Sequence, residues 1–173
     1  MRRVLFALLS ATAIMIAAAA APALAAKPEH SRPGPAGPLD LAAGEVCDFN
    51  VTLSAPVDTS TTSVWEYPDG TVRILTRGYA AGTATNTDDD ISVTHNGGFR
   101  SEVLIHPDGS VDVSVRGTFF AWYLEGDPIV GLSDGLFAVH GRGSESYASD
   151  GALIGARFDG QSTDLCEVLA PAS

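Results

Sequence analysis

Two segments of this chain begin with Asp-Gly and then alternate apolar and polar residues until they reach Arg-Gly. They read DGTVRILTRG at 69–78 and DGSVDVSVRG at 108–117. Asp-Gly supplies a turn with positive φ. The period of two that follows is that of a strand with one face turned inward. A weaker third copy, DGLFAVHGRG, occupies 134–143. The copies start 39 and then 26 residues apart, too uneven for a solenoid. They read as one hairpin geometry used three times. Val72, Ile74, Thr76, Val111, Val113, Val115, Phe137 and Val139 fall on one face, assigned to the core. The other face carries Arg73, Leu75, Arg77, Asp112, Ser114, Arg116, Ala138, His140 and Arg142.

The rest of the chain fits this pattern. No amphipathic helix of ten residues or more is legible, and short alternating runs are separated by Gly, Asp, Asn and Pro. Strands are expected at 46–53, 62–67, 71–80, 90–95, 98–106, 110–123, 136–143, 152–158 and 163–169. Pro68-Asp69-Gly70, Pro107-Asp108-Gly109 and Asn96-Gly97 are the expected hairpin turns. Between 119 and 124 both faces turn apolar, as in a strand central in a closed sheet or lining an opening. An all-β fold follows. The expected architecture is a small antiparallel β-barrel of eight to ten strands, which would protect its own edges without a covering helix. A β-sandwich is the alternative.

The ends of the chain differ from its middle. Residues 1–25 combine Arg2 and Arg3, an apolar run from Val4 to Ala21, and the small-x-small pattern Ala23-Leu24-Ala25. That is the pattern of a secretory signal peptide. The alternative is a membrane anchor, but the run is mostly alanine and the cleavage pattern follows at once. No second apolar run occurs, so the released product is expected to be soluble, without stable membrane insertion. Residues 26–44 are rich in Pro, Ala and Gly and read as a flexible leader. The single β domain is placed at 45–169, with 170–173 as a tail.

The full chain has a formal net charge of −11, and residues 26–173 keep all 21 acidic side chains against eight basic ones, or −13. So negative a chain is not expected to bind nucleic acid. Cys47 and Cys166 bracket the domain. In an exported chain an even cysteine count predicts a disulfide, here joining the first strand to the last.

Several polar and aromatic groups are candidates for chemistry. Arg77, Arg116 and Arg142 recur eight residues after an Asp-Gly aspartate and would form a ring if their strands align. Converging guanidiniums bind carboxylate or phosphate; outward arginines paired with nearby Asp or Glu are the plainer reading. Phe120, Trp122 and Tyr123, with neighbouring aromatics, are the candidates for lining a ligand cavity, against simple core packing. His140, with Glu102, is the candidate acid–base set. His95 and His106 adjoin turns and read as solvated. No three histidines have metal-ligand spacing, and SxxK and phosphate-loop patterns are absent after the apolar segment. Asp88, Asp89 and Asp90 carry the oxygen ligands that calcium takes. The EF-hand spacing is missing, so a solvated turn is expected there and no cofactor or metal.

The run from Gly82 to Thr87, the Asn96-Gly97-Gly98 step, the PDGS strand, Gly141-Arg142-Gly143 and Thr163-Asp164-Leu165-Cys166 together resemble small secreted proteins of unknown function from high-G+C Gram-positive bacteria. The resemblance covers nearly all of 45–169 and implies bacterial origin and secretion, not a chemistry. The barrel-forming strands and Gly-rich text also resemble dirigent and allene-oxide-cyclase-like barrels. No catalytic residue carries over from them.

The functional expectation is a secreted binding or accessory protein for a small apolar or carboxylated ligand. The alternatives are a cyclase- or isomerase-type enzyme using the barrel interior, and an extracellular interaction protein with no cavity. Nothing in the sequence sets an oligomeric state.

Overall fold

Three turns of one design organise the molecule. In the computed structural model, which describes residues 28–32 and 36–171, Asp69-Gly70, Asp108-Gly109 and Asp150-Gly151 adopt the same geometry. Each aspartate accepts a hydrogen bond from the backbone N–H two residues on: Thr71 at 2.9 Å, Ser110 at 2.9 Å and Ala152 at 3.0 Å. Each glycine takes a positive φ, +87°, +86° and +83°, which a residue with a Cβ rarely adopts. The third member of the set is therefore Asp150-Gly151. Asp134-Gly135, the third copy expected from the sequence, opens a strand without making a hairpin.

These turns join long antiparallel strands. In chain order the elements are β1 (Glu29–Ser31), β2 (Ala36–Leu41), β3 (Val51–Asp58), β4 (Thr61–Glu66), β5 (Val72–Asn86), β6 (Ile91–Ile105), β7 (Val111–Tyr123), β8 (Ile129–Val130), β9 (Gly135–Tyr147), β10 (Leu153–Asp164) and α1 (Leu165–Leu169). They form one ten-stranded sheet in the order β1-β4-β5-β6-β7-β9-β10-β8, with β3 pairing the far end of β5 and β2 pairing β3. All pairings are antiparallel except the two-residue contact of β8 with β10.

The sheet is not closed. β1 and β2 lie at one side and β8 at the other, and no pairing joins the two sides among the described residues. The barrel closure expected from the sequence is therefore absent. The disulfide does not pair a first and a last strand either. Cys47 lies in the turn region before β3, and Cys166 lies in α1, with the Cα atoms 5.4 Å apart. Segment 163–169, expected as a strand, ends β10 and becomes that helix. Asp164 caps it by accepting from the backbone N–H of Cys166 at 2.8 Å and of Glu167 at 3.3 Å.

Asn96-Gly97 is not a turn. β6 runs straight through it, and the β5–β6 connection is Thr87 to Asp90, with Asp90 at φ +57°. Gly82 and Gly97 serve close packing instead. A Cβ at Gly82 would run into the Phe120 ring, and one at Gly97 into the Thr118 side chain. The two strands thus approach β7 across its even-numbered face. The leader expected to be flexible also contributes strands, β1 and β2. Leu39 and Leu41, alternating with Asp40, pack against the core. The expected signal peptide at 1–25 lies outside the described residues.

Two apolar cores lie at the end of the sheet away from the Asp-Gly turns. One gathers Cys47, Val51, Leu53, Ala84, Leu136, Ala138, Leu165 and Leu169. The other gathers Ala121, Tyr123, Phe137, Val139, Ala156 and Phe158. Residues 136–139 of β9 alternate between them, so this strand is buried on both faces. Asn86, fully buried, donates to the Leu169 carbonyl at 3.0 Å and fastens α1 to the β5–β6 turn. Nearer the Asp-Gly turns, Val72, Ile74, Val103, Val111, Val113 and Val115 share one face. They are only half-buried and belong to neither core. The face assigned to the core from sequence is correctly grouped, but of its residues only Phe137 and Val139 are buried, in the second core, where Ile129 and Leu132 pack against it.

Among the described residues no helix is long and apolar enough to cross a membrane.

Candidate anion-binding face

Residues paired across neighbouring strands share a sheet face, so the register places the arginines directly. Arg77 on β5 pairs with Arg100 on β6. Arg100 pairs with Arg116 on β7, and Arg116 with Arg142 on β9. Arg142 in turn pairs with Asp159 on β10. Four exposed arginines therefore stand in one row across four adjacent strands. With neighbouring strands about 4.8 Å apart, the row is roughly 15 Å long.

The strand-pairing geometry explains the row. Arg77 and Arg116 each follow a turn aspartate, Asp69 or Asp108, by eight residues; Arg100 and Arg142 each precede one, Asp108 or Asp150, by eight. Equal arms about equal turns end at equal height on the sheet. Arg77, Arg116 and Arg142 are legible on strands leaving an Asp-Gly pair; Arg100 is not, because it lies on a strand entering one. Symmetry about Asp108 is the signal that finds it.

Two further arginines occupy the same face. Arg157 on β10 lies in the row of Ser144, Ser114 and Glu102, and Arg73 on β5 in the row of Leu104, Asp112 and Ser146. Thus six of the eight basic residues in 26–173 share one face of one sheet. Their acidic neighbours on its strands are Glu102, Asp112 and Asp159. The face is net positive on a chain of charge −11.

The partners of these groups differ. Arg73 Nε donates to Glu102 Oε1 at 2.8 Å and its guanidinium lies 5.0 Å from the Trp65 ring centroid. Arg100 reaches the other Glu102 oxygen at 3.4 Å, a long contact, with its side chain 54% exposed. The hydrogen bond from Arg73 holds the Glu102 carboxyl below the usual carboxylate range. Among the described residues Arg77, Arg116, Arg142 and Arg157 make no ion pair. Beside the row an open groove of about 210 Å³ is lined by Glu102, Leu104, Asp112, Ser114, Ser144 and Ser146 among others.

Comparison with protein-family models, with curated proteins and with solved structures finds no match to this chain. The site is therefore read from its own geometry.

The other candidates are dispersed. Phe120 and Trp122 pack against the first core, and Tyr123 is buried in the second. Tyr123 donates to Glu145 at 2.9 Å and Tyr147 donates to the same carboxylate at 2.6 Å. Burial, then the Glu145 charge, pushes both phenols well above their usual range. None of these aromatics is brought to the arginine row. His140 is exposed, 3.1 Å from the Thr118 hydroxyl, with no carboxylate against it among the described residues. Glu102 is held by arginines on another part of the face. His95, expected near a turn, is half-buried within β6, against Phe120 and the Val139 carbonyl.

His106, Asp112 and Ser146 do form a hydrogen-bonded series. His106 Nε2 lies 2.9 Å from Asp112, and Ser146 donates to Asp112 at 2.6 Å. The carboxylate stands between the other two, so the imidazole cannot take the serine proton as a nucleophile requires. Asp88 accepts from the Asn50 backbone and side chain at 3.1 and 2.8 Å, and Asn86 donates to Asp89 at 3.4 Å. These two aspartates of the calcium candidate thus make turn contacts. Among the described residues no three His, Cys, Asp or Glu side chains are placed to hold a metal.

Proposed function

We propose that this chain is an exported binding protein whose arginine face takes a carboxylated ligand. The observation that carries the reading is the single register of Arg77, Arg100, Arg116 and Arg142. Like charges placed directly opposite one another across strands cost stability, and three of these four have no carboxylate partner among the described residues. An anion supplies the missing countercharge. Guanidinium suits this role because its planar fork grips a carboxylate with two parallel hydrogen bonds. The binding surface is an open sheet face, so the ligand need not enter a barrel. The Cys47–Cys166 bridge fits an oxidising compartment, in keeping with the secretory pattern of residues 1–25.

Calorimetric titration of the protein with a tricarboxylate at low ionic strength tests this. Association that weakens with added salt and disappears in the Arg100→Gln/Arg116→Gln variant is expected. Equal heats from protein and variant would overturn the reading.

A further inference from the structure

We infer that the ligand of this face is a linear carboxylated polysaccharide lying across the strands; this rests on the arginine face being a ligand site. The row supplies one guanidinium per strand over roughly 15 Å. A single small carboxylate spans one or two of those positions and leaves the others uncompensated. A chain of uronate sugars carries one carboxylate per ring, and a linked pyranose is about as long as one strand separation, about 5 Å. Ring after ring then meets strand after strand.

The surroundings of the row match the rest of a sugar. Its continuation onto β4 is Thr61, paired with Arg77. The neighbouring row carries the exposed Ser114 and Ser144, next to Glu102. On the opposite flank stand the exposed His140 and Gln161, paired with one another. Among the described residues the Ser114 and Ser144 hydroxyls have no side-chain hydrogen bond of their own, and both line the open groove. Two adjacent free hydroxyls beside a strip of guanidiniums suit a polymer of hydroxyls and carboxylates. Tyr79, two residues beyond Arg77 and 44% exposed, adds an apolar ring at one end. Bare phosphate chains have no hydroxyls to meet these groups, and their charges repeat more closely than the strands do. The chain's net charge of −11 disfavours a polyanion away from this positive face, which biases the orientation of approach.

The test is titration of the protein with galacturonate oligomers of one to six residues, with polyphosphate and a single-stranded oligonucleotide of equal charge as competitors. Affinity is expected to rise roughly tenfold or more from monomer to tetramer and then level off, as successive contacts become intramolecular. Arg116→Gln should lose most of that gain, and Arg116→Lys, which keeps the charge without the fork, should lose part of it. Unchanged circular dichroism of these surface variants confirms that they fold. A monomer that binds as tightly as the tetramer would overturn the polymer and leave the carboxylate site standing. Tighter binding of polyphosphate or oligonucleotide would overturn the sugar. Binding of no anion at all would overturn the site itself.

Discussion

Arg100 on β6 stands directly opposite Arg116 on β7, and both are exposed. Each also has a further arginine across its other strand neighbour, Arg77 or Arg142. Neighbours about 5 Å apart are well inside the Debye length of about 8 Å at physiological salt, so the repulsion is only partly screened. The chain's overall charge of −11 acts at longer range and is screened more fully. Arg116 makes no ion pair among the described residues, so no carboxylate in contact offsets the repulsion there.

Arg116→Gln is accordingly expected to make the protein more stable, by a few tenths to about 1 kcal/mol. Denaturant unfolding at low and high salt measures it. The gain should shrink as salt is added, and the same variant should bind anions more weakly. A destabilised Arg116→Gln would mean that the stem of the side chain packs more than the charge repels. Stability and binding are thus opposed at one residue, as expected for a surface kept for a ligand.

The Cys47–Cys166 bridge closes a loop with a sequence separation of 119. Chain entropy places its contribution at about 4–5 kcal/mol. It joins α1 to the turn before β3, so its loss should loosen the core around Leu165 and Leu169 first. The double variant Cys47→Ala/Cys166→Ala should lose about 3–5 kcal/mol in denaturant unfolding. Hydrogen exchange should quicken at residues 165–169 before the Asp-Gly turns. Unchanged stability on reduction would show that the helix holds without the bridge.

Glu102 receives the Arg73 hydrogen bond and lies below the usual carboxylate range for that reason. A carboxyl with a depressed folded-state pKa contributes stability above its unfolded value, and that stability is lost as pH falls through the folded value. Glu102→Gln should therefore be less stable than the parent at neutral pH. The difference should fade as pH drops below about 4.3. Paired unfolding curves from neutral pH into acid decide it, and a pH-independent difference would assign the effect to packing rather than charge.

The parts of this fold that were legible are those written locally. Pro68-Asp69-Gly70 and Pro107-Asp108-Gly109 carry their own turn chemistry, and the alternation after each fixes which side chains share a face. The row of Arg77, Arg116 and Arg142 followed from that. Arg100 did not, because its place is set by pairing to strands on both sides, a relation between distant residues. Asp150-Gly151 is not legible as a hairpin turn because no long alternating run follows it. Barrel closure failed for a related reason: edge pairing is a property of the assembled sheet, and alternation is the same in an open or a closed one. The aromatic run 119–124 is apolar on both faces, with Phe120 and Trp122 against the first core and Phe119, Ala121 and Tyr123 at the second. Whether such a strand lines an opening or lies between two cores depends on what packs over it, and here Gly82 and His95 bring β5 and β6 onto Phe120.

That last contact makes a sharp prediction. Asn96-Gly97 looks like a turn, yet Gly97 and Gly82 are spaces into which β7 fits. Adding a methyl at Gly82 pushes on the Phe120 ring, and overpacking of this kind costs about 1–3 kcal/mol. Phe120→Leu alone removes ring volume beside the first core and should also destabilise. Combined, the methyl takes up space that the ring has vacated. Gly82→Ala/Phe120→Leu should therefore lose less than the sum of the two single losses, by at least about 0.5 kcal/mol. Denaturant unfolding of the four proteins in the cycle measures the coupling. Simple additivity would show that β5 does not rest on β7 at this point, and the layer that closes over the first core would then have to be placed differently.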